Sequence, residues 1–119
     1  MFSFLRPNAG PACPPVAEIA AAVARGEMVL VDVRETAELR GSGKAKGALH
    51  VPLGLLALKA DPQAPDAVMA PGKPVVLYCA SGGRSGMAAQ TLRRMGYDPV
   101  WNLGGFGDWV AGGGQVDRA

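Results

Sequence analysis

Apolar runs and helix-like patterns alternate along the whole chain. Strands are predicted at residues 28–33, 49–51, 75–78 and 99–103. The first and third of these runs are rich in β-branched residues, as is typical of strands that are covered on both faces. Helical segments are predicted at residues 14–25, 35–40, 53–59, 86–95 and 106–110. The alternation predicts an α/β domain with a parallel sheet and helices on both of its faces.

The length of 119 residues allows one domain with a single hydrophobic core. Residues 1–12 are rich in proline and glycine, and we expect them to form an extended lead-in. Residues 112–119 are polar and glycine-rich, and we expect them to be a flexible tail. The folded domain is therefore expected to span residues 13–111.

The composition is that of an ordinary globular protein, with 49% hydrophobic and 18% charged residues. The net charge of +2 is small and the lysines and arginines form no run, so nucleic-acid binding is not indicated. The apolar start of the chain is too short for a signal-peptide core, and no segment reaches the roughly 18 apolar residues of a membrane-spanning helix. We therefore expect a cytoplasmic protein that binds no membrane.

Two cysteines, Cys13 and Cys79, lie far apart in unlike sequence surroundings. A secreted disulfide scaffold would carry more cysteines, and a reactive thiol survives best in a reducing compartment. The single histidine, His50, is expected to lie at the surface or in a loop rather than to act as a base. One histidine and two separated cysteines give no zinc-ligand spacing, so neither a metal nor another cofactor is predicted.

Cys79 follows the apolar run 75–78 and precedes a glycine pair, an arginine and a predicted helix. Gly82 and Gly83 permit a sharp turn that brings backbone N–H groups close to a bound anion. The helix start adds unpaired N–H groups and the positive end of the helix dipole. A thiol placed there ionises more easily than a free cysteine, and the thiolate is the nucleophile. The alternative, a cysteine that only fills the core, is common for this residue type but leaves the glycine pair and Arg84 unexplained.

Asp32 and Arg34 lie at the end of the first predicted strand, so a parallel sheet places them at the same edge as Cys79. We expect them to form a buried ion pair or hydrogen bonds that support the loop around the cysteine. Direct contact between Arg34 and a substrate is the alternative. Glu35 and Glu38 are expected to face solvent on a helix.

Four motifs in a fixed order resemble those of the single-domain rhodanese (thiosulfate sulfurtransferase-like) family. They are Val-Asp-Val-Arg-Glu at 31–35, Gly-Lys-Ala-Lys-Gly-Ala-Leu-His-Val-Pro at 43–52, Tyr-Cys-Ala-Ser-Gly-Gly-Arg-Ser at 78–85, and Asn-Leu-Gly-Gly-Phe at 102–106 followed by Trp109. Each motif is weak alone, but the four in this order across residues 17–110 are a specific signal. Lys44 departs from the family pattern, which commonly has a histidine at this usually structural position.

The resemblance implies a sheet of about five parallel strands flanked by helices, with residues 13–111 as the rhodanese domain. It implies that Cys79 is the catalytic residue, which takes a sulfane sulfur from a donor and becomes a persulfide. It also implies an anion-binding loop around the persulfide, closed by Arg84, with Ser85 at the start of the helix. The substrate-binding residues implied in this way are Ala80, Ser81, Gly82, Gly83, Arg84 and Ser85.

The function predicted from the resemblance is a thiosulfate:cyanide-type sulfurtransferase, which moves sulfur from a donor such as thiosulfate to cyanide or a thiol. The mouth of the loop beyond Arg84 is expected to be open and uncharged, and Cys13 is expected to take no part. One alternative is a persulfide carrier or interaction module that serves a specific protein partner. A cysteine-dependent phosphatase is disfavoured, because those enzymes place one more residue between cysteine and arginine to wrap a phosphate.

Overall fold

A four-stranded parallel sheet forms the centre of the protein. The structure is a computed structural model, and it describes residues 12–118. The strands are β1 (Val29–Asp32), β2 (Lys44–Ala45), β3 (Leu49–His50), β4 (Val75–Cys79), β5 (Val100–Gly105) and β6 (Val116–Asp117). The parallel sheet has the strand order β3-β1-β4-β5.

Helices cover both faces of this sheet. They are α1 (Val16–Ala24), α2 (Thr36–Ser42), α3 (Leu56–Lys59), α4 (Gly83–Arg94) and α5 (Phe106–Ala111), with a 3-10 turn at Leu53–Leu55 before α3. Side chains of α3 and α4 pack on one face, and those of α1 and α5 pack on the other. The predicted α/β class is confirmed. No helix within residues 12–118 has the length and apolar character that crossing a bilayer requires.

Strand β4 is buried at every position, because its alternate side chains enter two separate parts of the core. Val75, Leu77 and Cys79 pack on the α3 and α4 side, whereas Val76 and Tyr78 pack on the α1 and α5 side. Burying one such aliphatic side chain stabilises the fold by about 1.5–3 kcal/mol. The apolar run at 75–78 was therefore a reliable sign of a strand that is covered on both faces.

The number of strands in the main sheet roughly agrees with the family-based expectation. Four strands form this sheet rather than about five, and β2 and β6 form a separate antiparallel pair. In this pair Lys44 lies opposite Asp117, and Ala45 lies opposite Val116. Lys44, the position that departs from the family pattern, therefore belongs to a short strand outside the main sheet.

The carboxyl end of the chain, expected to be a flexible tail over 112–119, is attached to the domain through β6. The carbonyl oxygen of Gln115 accepts hydrogen bonds from Trp109 Nε1 at 2.7 Å and from the backbone N–H of Lys46 at 2.9 Å. A two-residue strand that pairs with a distant segment leaves no pattern in its own sequence, so this attachment was not predicted. The lead-in expected over 1–12 lies, apart from its last residue, outside the described part of the chain.

The carboxyl ends of β1, β4 and β5 meet at one edge of the sheet. Asp32 lies beside Tyr78 in the pairing of β1 with β4, and Cys79 lies beside Gly105 in the pairing of β4 with β5. The register of β5 shifts by one residue opposite Leu77 and Tyr78. As the sequence pattern predicts, Asp32 and Cys79 end neighbouring parallel strands at the same edge.

Candidate active site

Cys79 is the last residue of β4, and the chain then turns directly into α4. Gly82 precedes this helix with a φ of 108°, a left-handed conformation that residues with a side chain rarely adopt. Its N–H donates to Cys79, with an N···Sγ distance of 3.0 Å. Ala80 and Ser81 are the exposed residues of the turn, and Gly83 is the first residue of α4. We call residues 79–85 the cysteine loop.

Ser85 places a buried hydroxyl group beside the sulfur. Its Oγ lies 3.3 Å from Cys79 Sγ, 2.7 Å from Asn102 Oδ1 and 3.3 Å from the carbonyl oxygen of Gly104. A hydroxyl has a single hydrogen to donate, so these three acceptors compete for it. Hydrogen bonds to charged acceptors are the stronger ones, so ionisation of Cys79 favours rotation of the Ser85 hydroxyl toward the sulfur.

The pKa of the Cys79 thiol is lowered to about 7. Burial is the largest single effect and opposes ionisation. Hydrogen bonds from the Ser85 hydroxyl and from the backbone N–H groups of Ser85, Gly82 and Ser81 together outweigh it. Roughly half of the thiol is therefore ionised near pH 7. The cysteine loop can supply a thiolate nucleophile without a separate general base.

Asn102 connects β5 to the cysteine loop, a role that was not predicted from the sequence. Its Nδ2 donates to the carbonyl oxygen of Gly82 at 3.0 Å. Its Oδ1 accepts from the Gly104 N–H at 3.0 Å and from the Ser85 hydroxyl. Asn102 therefore helps to hold both the turn and the hydroxyl in place. The available signal was a polar residue inside a predicted strand, within the fourth family motif.

The glycine pair of the fourth motif allows β5 to approach the cysteine loop closely. A Cβ atom on Gly105 would overlap the carbonyl oxygen of Ala80, so a larger residue would displace the loop. The Gly105 N–H donates to Asp108 Oδ2 at 2.7 Å, which anchors the start of α5. Gly104 has a φ of 114°, which favours glycine. These contacts give the motif a structural explanation.

Arg84 is held by a carboxylate of α2 rather than standing free at the mouth of the cysteine loop. Its Nη1 and Nη2 donate to Oε2 and Oε1 of Glu38 at 2.7 and 2.8 Å, which makes a bidentate ion pair. The hydrogen bond from Arg84 is the main cause that lowers the pKa of Glu38 to about 2. The pKa of Arg84 is raised, chiefly by Glu38 and further by the charge of Cys79.

This ion pair corrects the expectation that Glu38 only faces solvent. The Arg84 and Glu38 side chains are 35% and 32% exposed, so both are partly covered. The contact joins residues 46 positions apart, and only the fold brings α2 and α4 together. The surface beside the cysteine loop, which was expected to be uncharged, therefore carries a paired cation and anion whose charges compensate one another.

Asp32 and Arg34 form a buried ion pair at the same edge of the sheet. Arg34 Nη2 lies 2.8 Å from Asp32 Oδ2, and the side chains are 4% and 0% exposed. The Tyr78 hydroxyl donates to the same carboxylate oxygen at 2.6 Å. Arg34 also donates to Ser42 Oγ and to the carbonyl oxygen of Gly43, both at 2.8 Å. Each guanidinium nitrogen thus has a partner inside the protein, which favours a supporting role over contact with a substrate.

Aromatic rings and a histidine complete the surroundings of this ion pair. The guanidinium carbon of Arg34 lies 4.5 Å from the centre of the Phe106 ring, a cation–π distance. Burial, followed by the hydrogen bond to Asp32, raises the pKa of Tyr78 far above its ordinary value. His50 lies in β3, within the strand predicted at 49–51, and its Nε2 is 2.7 Å from the carbonyl oxygen of Arg34.

The sulfur of Cys79 has little contact with solvent, since the residue is 1% exposed. This burial differs from the open mouth expected from the sequence. An apolar groove does exist on the surface, lined by α1, Trp109 and residues 112–115. Trp109 belongs to the core on the opposite side of the sheet from Cys79, so this groove gives no access to the sulfur.

Both cysteines are free thiols in the structure. Cys13 is half-buried before α1 and packs against the part of the core that contains Trp109. Within residues 12–118, no three side chains of His, Cys, Asp or Glu are grouped so that they could hold a metal ion.

Residues 15–112 match the family described as the rhodanese-like domain. The match covers nearly all of the described chain and includes the cysteine loop, the ion pair of Asp32 with Arg34, and the glycine pair of β5. The chain therefore belongs to the rhodanese-like domain family.

Curated relatives include both named and uncharacterised proteins. An uncharacterised protein of Bacillus subtilis is 43% identical over 88 residues, which are 73% of this chain and 62% of that protein. This chain thus spans less than two thirds of that relative. A sulfurtransferase of Allochromatium vinosum is 35% identical over 88 residues, covering 73% of this chain and 76% of the relative. The human thiosulfate:glutathione sulfurtransferase is 32% identical over 102 residues, covering 78% and 88%.

The fold is also similar to solved structures. A Rhodopseudomonas palustris protein of unknown function, described as a possible tyrosine phosphatase, superposes with a TM-score of 0.73 at 34% identity. The similarity covers 92% of this chain and 87% of that protein. The parallel sheet with helices on both faces is therefore shared across nearly the full length of both chains.

Proposed function

We propose that this protein transfers a sulfane sulfur from a small donor to a nucleophilic acceptor through a persulfide on Cys79. The observation that carries the proposal is the set of hydrogen-bond donors around Cys79 Sγ, which lowers the pKa of the thiol to about 7 despite its burial. A thiolate of this kind attacks electrophilic sulfur near neutral pH. Membership of the rhodanese-like family supports the same chemistry.

The first step loads sulfur onto the cysteine. The Cys79 thiolate attacks the outer sulfur of thiosulfate, a new S–S bond forms, the sulfur–sulfur bond of the donor breaks, and sulfite leaves with the bonding electron pair. The persulfide keeps one negative charge on its outer sulfur. The N–H groups of the cysteine loop, of which Gly82 lies 3.0 Å from Sγ, stabilise that charge.

The second step removes the outer sulfur. Cyanide or a thiolate attacks it, the S–S bond breaks, and the electron pair returns to Cys79 as a thiolate. The products are thiocyanate from cyanide or a new persulfide from a thiol. The mechanism has a covalent intermediate, so ping-pong kinetics are expected. The name of the human relative, a thiosulfate:glutathione sulfurtransferase, supports testing glutathione as the thiol acceptor.

The two steps have consequences for the cofactor, the cellular compartment and the alternative reaction. Neither step requires a metal or organic cofactor, because the nucleophile, leaving group and acceptor carry the electrons between them. A free thiol that must stay reduced between cycles suits a reducing compartment, and we propose the cytoplasm. The interval of four residues between Cys79 and Arg84, with Arg84 paired to Glu38, disfavours phosphate hydrolysis.

The burial of Cys79 favours one alternative function. At 1% exposure, the residue meets a donor or acceptor only when the cysteine loop moves. In a persulfide carrier, docking of a specific protein partner would drive that movement, and turnover of small donors would be a side reaction. Comparing sulfur transfer to small thiols with transfer to candidate protein thiols separates the two functions.

The direct test is mass spectrometry of the intact protein after incubation with thiosulfate. We expect the mass to rise by one sulfur atom, to map to Cys79, and to return to its starting value with cyanide while thiocyanate appears. The Cys13→Ser variant is the matched control, because it leaves Cys79 as the sole thiol. Absence of the added sulfur on Cys79 with thiosulfate, thiosulfonate and polysulfide alike would refute the proposal.

A further inference from the structure

The cation of the cysteine loop has its charge compensated by a fixed carboxylate. Arg84 and Glu38 are joined by two hydrogen bonds of 2.7 and 2.8 Å. Glu38 Oε2 also accepts from the backbone N–H of Glu35 at 2.8 Å, at the start of α2. The carboxylate is therefore held between the helix start and the arginine rather than swinging free in solvent.

The position of this pair distinguishes it from the arginine–carboxylate pair that lies at the end of β1. The pair of Asp32 with Arg34 is almost fully buried, so it has no surface to offer to a donor. The side chains of Glu38 and Arg84 are about one third exposed, and Arg84 is five residues beyond Cys79 in the cysteine loop. A donor anion that approaches this loop meets both charges.

We propose that Glu38 sets the donor-charge preference of the site, by compensating Arg84 so that dianionic thiosulfate loses most of its electrostatic advantage over monoanionic sulfane donors. The inference rests on the proposed function. The arginine alone would attract a dianion more strongly than a monoanion, and the adjacent carboxylate cancels most of that advantage. Thiosulfonates belong to the monoanionic class.

Thiosulfate and methanethiosulfonate make a matched pair of probes, because both present a terminal sulfur bonded to an oxidised sulfur. Cys79 thiolate displaces sulfite from the first and methanesulfinate from the second, and each leaves the same persulfide. The donors differ by one unit of negative charge. The ratio of their rate constants for persulfide formation, measured by rapid quench and mass spectrometry, reports the charge preference.

Glu38→Gln is the decisive variant, because it removes the charge and keeps a group that can accept from Arg84. The rate ratio of thiosulfate to methanethiosulfonate should rise by about tenfold, the effect expected of one unit charge a few ångströms away in partly screened surroundings. Glu38→Asp keeps the charge but shortens the side chain, so its ratio should stay within about twofold of the wild-type ratio. If Glu38→Gln does not fold, Glu38→Ala takes its place.

Glu35→Gln is the matched control. It removes an equal charge from the start of the same helix but leaves the two hydrogen bonds between Glu38 and Arg84 in place. Its rate ratio should not change. An unchanged ratio in Glu38→Gln, or an equal slowing with both donors, would overturn the inference and leave Glu38 with a structural role. If no persulfide forms on wild-type Cys79 with either donor, the proposed function fails instead, so the two failures are distinguishable.

Discussion

The two cysteines lie on opposite sides of the central sheet, and their surroundings reverse the usual relation between exposure and reactivity. Cys79 is 1% exposed, yet hydrogen bonds that outweigh burial lower its pKa to about 7. Cys13 is more accessible, but partial burial raises the pKa of its thiol. Donors that point at the sulfur, rather than solvent access, therefore decide which thiol is ionised near neutral pH.

The difference arises from the residues on the carboxyl side of each cysteine. Cys79 ends a buried strand, and backbone N–H groups of the turn and of the first turn of α4 face back toward the sulfur. Cys13 precedes Pro14 and Pro15, which have no backbone N–H to offer. The same side chain is thus a candidate nucleophile in one place and an apolar packing residue in the other.

Cys79→Ser is expected to have the largest effect. A serine hydroxyl is not ionised near neutral pH and cannot carry a persulfide, so thiosulfate–cyanide turnover should fall by at least about a thousandfold. The assay is thiocyanate formation, with circular dichroism to show that the variant is folded. Retained turnover in a folded variant would mean that another group carries the sulfur. The conclusion that Cys79 is the nucleophile and Cys13 a packing residue would then be wrong.

The pH dependence of loading should separate the two thiols. The lowered pKa means that the Cys79 thiolate is present above pH 7 and is lost as the pH falls through about 7. The rate of persulfide formation should therefore rise about tenfold between about pH 6 and about pH 8 and then level off. Alkylation followed by peptide mapping measures each thiol, and Cys13 should react only at more alkaline pH. A loading rate that falls with rising pH would contradict this assignment.

Ser85→Ala should raise the pKa of the Cys79 thiol, so that Cys79, like Cys13, is less ionised at neutral pH. The variant loses a hydroxyl 3.3 Å from the sulfur while the backbone N–H groups remain. If the pKa rises by about one unit, loading at neutral pH should slow about fivefold and recover in alkaline buffer. The pH profile of alkylation is the measurement. Equal slowing at all pH values would show that Ser85 acts by packing or positioning and not on the ionisation of the thiol.

The parts of the fold that were predicted from the sequence are those fixed by local patterns. The apolar run of β4 and the helical spacing of α1 each carry their own signal, and both elements lie where the pattern placed them. The pairing of β2 with β6 carries no such signal, because each strand has two residues and its partner lies far along the chain. This strand pair and the attached carboxyl end therefore needed the structure.

The candidate site likewise has a part that local sequence predicts and a part that only the fold brings together. The cysteine loop was predicted because its cysteine, glycines and arginine are contiguous in sequence. Glu38 and Asn102 reach that loop from positions 46 and 17 residues away from their partners Arg84 and Ser85. Glutamate is common in exposed helices, so Glu38 carries no signal of its own, and Asn102 is marked only as a polar residue inside a predicted strand. Contacts of this kind depend on how α2 and β5 pack against α4, which local patterns do not specify.

Cys13→Ser is expected to have the smallest effect, and it tests directly whether Cys79 alone carries the reaction. Cys13 lies on the side of the sheet that contains Trp109, away from the cysteine loop, so it cannot resolve a persulfide on Cys79 without a large rearrangement. Turnover with thiosulfate and cyanide should stay within about twofold of wild type, as expected for a substitution outside the site. Non-reducing peptide mapping after loading should find no disulfide between the two cysteines. A disulfide, or a marked change in the rate of the second step, would instead make Cys13 a participant in the reaction.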